Sequence, residues 1–176
     1  MTDDKFHPTV ELVTPDGEHV DIDVDIAPVI QQLWQAGLTT VSCCQDVGEA
    51  LSPTIALFPP HIAAIADRDA GYAIIEFSDI EDAGAFLSAI ANAGPRDAFY
   101  VRMIHWAAPG AWHSCARLTD LADDADDEWS QFVTLGASVK FPRTDLPEIL
   151  ARLRRTSLYP RGPVDWSTVE IRGDDV

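Results

Sequence analysis

"YAIIEFSDIEDAGAFLSAIANAGP", residues 72–95, holds two hydrophobic periods in succession. Tyr72 to Phe77 is a β-branched and aromatic run of strand type. Ser78 or Asp79 then stands where a helix cap belongs, and Ile80, Ala83, Leu87 and Ile90 recur at helical spacing until Gly94-Pro95. The order repeats 64 residues later in "ASVKFPRTDLPEILARLRRT", residues 137–156, with Phe141 in the place of Phe77 and Leu150 in that of Phe86. Two strand–helix units separated by a hairpin predict an α+β fold of the ferredoxin-like, split β-α-β kind, an antiparallel sheet covered by helices.

Upstream, Val10–Val13, the turn "TPDG" and "HVDIDV" predict a β-hairpin, in which Val20, Ile22 and Val24 alternate with Asp21, Asp23 and Asp25. Asp25 is placed to cap a helix from Ile26 to about Ala36, stopped by Gly37, and "LTTVSC" returns as a strand. This hairpin-helix-strand addition precedes the split β-α-β part, and the chain reads as a single domain over 1–176. A strand over Pro53–Phe58, a short helix in "PHIAAIAD" and a last strand over Trp166–Ile171 complete the pattern. The acidic run at 120–129 reads as a solvated linker between the halves.

The central stretch "YVRMIHWAAPGAWHSCARL", residues 100–118, reads as a second hairpin about a type II turn at Pro109-Gly110. Its register would set Trp106 against His113, Ile104 against Cys115 and Arg102 against Arg117. Facing arginines repel unless an anion or carboxylate lies near, so Arg102, Trp106 and Arg117 are candidate ligand-binding residues.

Composition limits the functions open to the chain. Of 176 residues, 47% are hydrophobic and five are tryptophan, which suits a packed globule. The net charge of −17 opposes binding to nucleic acid or to an anionic membrane surface. "MTDDKFHP" lacks the features of a signal peptide, and the apolar stretch Pro53–Ala66 is too short for a bilayer, so a cytoplasmic protein with three free thiols is expected. Nucleotide-loop, nucleophile-elbow and zincin motifs are all missing from the sequence.

The remaining chemistry lies in "TTVSCCQDVGE", residues 39–49. Strand alternation puts Val41 and Cys43 on the apolar face and turns Cys44 toward a polar end with Ser42, Gln45 and Asp46. Cys44 is therefore the candidate catalytic thiol, and Ser42, Gln45 and Asp46 are candidate ligand-binding residues. For zinc, His113 and Cys115 at i and i+2 supply two donors and Cys44 a third. The segment "APVIQQLWQAGLTTVSCCQD" resembles one in uncharacterised bacterial and phage proteins, on the pattern LW, G, T, S-C-Q; the resemblance implies a shared fold and no chemistry. Three functions stay open: a ligand- or partner-binding regulatory domain, forming a homodimer and taking a small anionic ligand or a protein partner; a thiol- or zinc-dependent enzyme centred on Cys44; and an acidic inhibitor that imitates nucleic acid.

Overall fold

A computed structural model describes residues 7–51, 59–121 and 132–156. The chain is mixed α+β, with helices packed on antiparallel sheets. β1 (Thr9–Val13) and β2 (His19–Asp23) form the expected hairpin. Its turn is closed by Gly17 N–H donating to Thr14 O at 3.0 Å, with Gly17 at φ +94°, where a Cβ would be strained. α1 (Ala27–Gln35) follows, then β3 (Thr40–Cys44), α2 (Val47–Leu51), α3 (Pro60–Arg68), β4 (Tyr72–Phe77) and α4 (Ile80–Asn92). α5 (Ala98–Ile104), β5 (His113–Leu121), β6 (Phe132–Pro142), a 3-10 turn at Arg143–Asp145 and α6 (Leu146–Arg155) complete the order.

The larger sheet is four-stranded, in the order β3-β4-β6-β5, and every neighbouring pair is antiparallel. β4 and β5 are joined through α4 and α5 with β6 between them, which is a split β-α-β unit. The position beyond β4 is filled by β3, from the N-terminal side of that unit. Strict alternation in β4 sends Ala73, Ile75 and Phe77 to one face, beside Ala137, Val139 and Phe141 of β6. Onto that face pack Ile26 just before α1, Ile30 and Leu33 of α1, Phe86 and Ile90 of α4, and Ile149 and Leu153 of α6. Among the described residues no helix is long and apolar enough to cross a membrane.

Caps explain where the helices start. Asp79 accepts from Asp82 N–H at 2.7 Å and Asp97 from Tyr100 N–H at 3.2 Å. Asp25 does not cap α1: Ile26 is the N-cap residue, with no side-chain cap bond, and the Asp25 carboxylate pairs with Arg143 instead.

The second expected hairpin is absent. Residues 98–104 are helical because Asp97 caps them and because Phe99 and Met103, four apart, both reach the core. Pro109-Gly110 does make a tight turn, with Gly110 at φ +68° and Ala111 N–H donating to Ala108 O at 3.0 Å. The strand after it pairs with β6, so Arg117 lies opposite Gly136, not Arg102. The acidic run consequently begins inside β5 and leads to β6; residues 122–131 and the expected strands at 53–58 and 166–171 lie outside the described residues.

One buried cation joins three helices. Arg152 of α6 is fully buried, donates to Ile90 O at 3.2 Å, to Asp97 at 3.1 Å and to Glu148 at 2.7 Å, and lies 4.3 Å from the centre of the Phe99 ring. Gly94 makes room for it: a Cβ there would sit 2.6 Å from the guanidinium carbon. Because that group is fixed by so many acceptors, it cannot move aside cheaply. Gly94→Ala is expected to destabilise the chain by about 1–3 kcal/mol, the usual cost of overpacking. Denaturant melts measure this, and a variant within experimental error of the wild type would show that the guanidinium shifts freely.

Candidate metal centre at the end of β3

β3 does not alternate as a regular strand. Thr40 pairs with Phe77 but Ser42 with Glu76, so Val41 is an extra residue, a bulge. Val41 is consequently 63% exposed instead of buried. Beyond the bulge, Cys43 lies opposite Ile75 and packs against the core, while Cys44, opposite Ile74, turns to the other face.

There Cys44 meets the N-terminal hairpin. One ligand atom each from His7, Asp23 and Cys44 lie within 4.8 Å of one another. His7 Nδ1 is 3.2 Å from Asp23 Oδ2, and its Nε2 is 3.0 Å from Glu49 Oε2. The His7 side chain is buried; Asp23 is half-buried and accepts from Gln45 N–H at 3.0 Å. Arg143 Nη1 lies 3.5 Å from Glu49, and Asp46 accepts from the N–H groups of Glu49 and Gly71 at 3.0 and 3.1 Å. Around this point Asp25, Asp46 and Glu49 share one arginine, Arg143, and Asp23 adds a fourth carboxylate, an excess of negative charge suited to a cation. Partnership with Asp25 raises the affinity of the Arg143 guanidinium for its proton, so it stays charged.

Burial pushes the Cys43 thiol up to about 12, helped by Asp23 and by Cys44. Burial likewise pushes Cys44 up to about 11; a bond from the Asp46 backbone opposes this, and the Asp23 carboxylate adds to it. Neither thiol is a thiolate at neutral pH without a cation beside it, which opposes an unaided cysteine nucleophile.

The other sequence candidates are dispersed. Gln45 is buried, and its side-chain oxygen accepts from Asp25 N–H at 2.8 Å, so it is structural. Ser42 and Arg117 meet at Glu76, to which they donate at 2.7 and 3.0 Å. Arg102 instead pairs with buried Asp145, which also accepts from Trp112 at 2.9 Å. Trp106 is 86% exposed on the loop after α5. His113 and Cys115 share a face of β5, as expected, and lie on the same face as Cys44. However, β4 and β6 separate them from it, a distance of roughly 14 Å at about 4.8 Å per strand. The structure therefore does not bring Cys44, His113 and Cys115 together. Missed in the sequence were His7, Asp23 and Glu49; the hairpin register, which sets Thr9 opposite Asp23, is the signal that brings His7 beside Asp23.

The thiols should react in the order Cys115 first, Cys43 last. Cys115 is exposed, whereas Cys43 and Cys44 are protonated and half-buried; in the metal-free chain their alkylation at neutral pH is expected to be about tenfold or more slower. The same shifts set a stability limit. The unfolded thiols ionise near 9.0 and the folded ones only near 11 and 12, so stability is complete below 9 and falls as pH rises beyond it. Denaturant melts of wild type and Cys43→Ala on both sides of that pH test this. Equal alkaline losses in the two proteins would show that Cys43 carries no part of it.

No family model matches the chain, and neither a curated protein nor a solved structure shows significant similarity to it.

Proposed function

We propose that the protein is a metal-binding α+β domain, with a zinc-class ion held by His7 Nδ1, Asp23 Oδ2 and Cys44 Sγ. The observation that carries this is the convergence of three donors of zinc type from three separate segments within 4.8 Å. Two ligand atoms each about 2 Å from a tetrahedral ion are roughly 3.3 Å apart. The 3.2 Å between His7 Nδ1 and Asp23 Oδ2 matches that separation.

The surroundings support the same reading. With Nδ1 on the metal, the remaining N–H of His7 donates to Glu49, the carboxylate–histidine arrangement that fixes the ring and its tautomer. Arg143 in turn holds Glu49. A metal ion also reverses the obstacle at Cys44, since a coordinating thiol gives up its proton. Three protein ligands leave a fourth position for water or a small anionic ligand, as in sites that do Lewis-acid chemistry.

Metal analysis of chain purified without chelator is expected to give about one zinc per molecule. Cobalt substitution should show a sulfur-to-metal charge-transfer band that Cys44→Ser abolishes. Glu49→Gln, which leaves the three ligands in place, should weaken metal binding by about 10- to 100-fold, the usual effect of losing an orienting carboxylate. Zinc far below one equivalent, or a band that survives Cys44→Ser, would overturn the assignment.

A further inference from the structure

The face of the four-stranded sheet turned away from the helix-covered core carries a basic pocket beside the end of α3. Lys140 stands between the core residues Val139 and Phe141, so its side chain leaves the other face of β6. His113 lies directly opposite it on β5, and Tyr72 of β4 lies diagonally across, so both share that face. Arg68, the last residue of α3, and the buried Asp69 complete the lining of a cavity of about 350 Å³. Lys140 Nζ is 2.8 Å from Asp69 Oδ1, and Arg68 donates from Nε at 2.8 Å and from Nη2 at 3.2 Å to the same carboxylate. Burial pushes the Asp69 carboxyl up, but the bonds from Arg68 and Lys140 outweigh it and hold the group below its ordinary value, so it is ionised.

The charge balance of the lining points to a ligand. One carboxylate offsets one of the two cations, and the C-terminal end of α3 adds a partial negative charge of only about 0.5, so the pocket stays positive in a chain of net charge −17. At Arg143 the ratio is reversed, with one guanidinium shared by three carboxylates. A single cation would neutralise Asp69. Setting Lys140 against His113 adds repulsion whenever the imidazole is protonated, and a bound anion relieves it. Donor capacity also exceeds what Asp69 takes: two of the five guanidinium N–H groups and one of the three on the ammonium.

We infer that this pocket binds a phosphoryl group, either inorganic phosphate or the head of a small phosphate monoester, with Arg68, Lys140 and His113 as its donors. Three donor groups from three elements suit three terminal oxygens, whereas a carboxylate offers two. The volume lies at the small end of ligand sites, about 300–1,000 Å³. The Tyr72 ring is the wall of the site, its centre 6.1 Å from that of His113 and 5.8 Å from Lys140 Nζ. The inference is independent of the metal assignment, because none of the three proposed ligands lines this pocket.

The probe is inorganic phosphate, titrated at low ionic strength into the full chain after its metal has been stripped and the chelator dialysed away, with amide and histidine-ring NMR as the readout. Expected is saturable one-to-one binding with a Kd below about 10 mM, and shifts centred on residues 68–72, 113 and 140. Arg68→Gln alters a side chain that is 66% exposed and leaves Lys140 on Asp69, so the chain should fold and bind phosphate about three- to tenfold more weakly. Lys140→Met should weaken binding at least about tenfold, and Arg68→Gln carries the test if that variant does not fold. Arg154→Gln, exposed on α6 and outside the lining, should leave binding unchanged. Methyl phosphate binding more tightly than phosphate identifies an ester as the ligand, and weaker binding identifies free phosphate. No saturable binding, or equal weakening by Arg68→Gln and Arg154→Gln, would overturn the inference and leave the two cations as partners of Asp69 alone; acetate binding as tightly as phosphate would overturn the phosphoryl assignment.

Discussion

The N-terminal hairpin shares no ladder with the four-stranded sheet among the described residues, and a reciprocal pair of hydrogen bonds at Gln45 fixes it there. The Gln45 backbone donates to Asp23 of β2, and its side-chain oxygen accepts from Asp25 N–H. Each such bond contributes only about 1 kcal/mol net, but leaving a buried partner unsatisfied costs roughly 1–3 kcal/mol. Gln45 is buried, so the hairpin cannot leave this position without that cost. Asp46 extends the junction, since it holds the first turn of α2 and the Gly71 N–H just before β4. Gly48 lets α2 meet α3 backbone to backbone, because a Cβ there would lie 2.6 Å from Ala66 O. The proposed metal centre lies where this junction brings β2 beside β3.

Much of the fold was legible where local signals agreed. Residues 72–92 and 137–155 carry strand alternation and then helical spacing, and the structure has β4-α4 and β6-α6 there. In the first of these a side-chain cap marks the boundary, on Asp79. "AFYVRMI" shows the opposite case. Its β-branched and aromatic composition favours a strand, but the Asp97 cap and the reach of Phe99 and Met103 into the core outweigh propensity. The tight turn at Pro109-Gly110 was read correctly as a turn, and its flanks were paired wrongly. A turn fixes the path of four residues, while the partner of β5 is decided by β6, which begins at Phe132, 22 positions after Gly110.

The site was legible only in its β3 part. Cys44 could be singled out because it follows a strand and precedes polar residues. His7, Asp23 and Glu49 come to it from positions 37 residues before, 21 before and 5 after, and nothing in local pattern connects them. The pairing of β1 with β2 sets Thr9 opposite Asp23, so the first link, His7 with Asp23, depends on hairpin register. The second, hairpin with β3, depends on Gln45, a residue whose burial the sequence does not announce.

A single inserted residue orients the side chains of β3. Thr40 lies opposite Phe77 on the helix-covered face, where it accepts the Trp34 indole N–H, and Cys43 lies opposite Ile75 on that same face. Two residues three apart share a face of a strand only if one between them is extra, and Val41 is that residue. Without the bulge, keeping Thr40 against Trp34 would turn Ser42 and Cys44 onto the helix side and expose Cys43. With it, Cys44 is delivered to His7 and Asp23, while Val41 is pushed out to an exposed position. The strict alternation assumed from sequence therefore failed at the point where the strand departs from regularity, and that departure is what turns Cys44 toward His7 and Asp23 while Val41 faces outward.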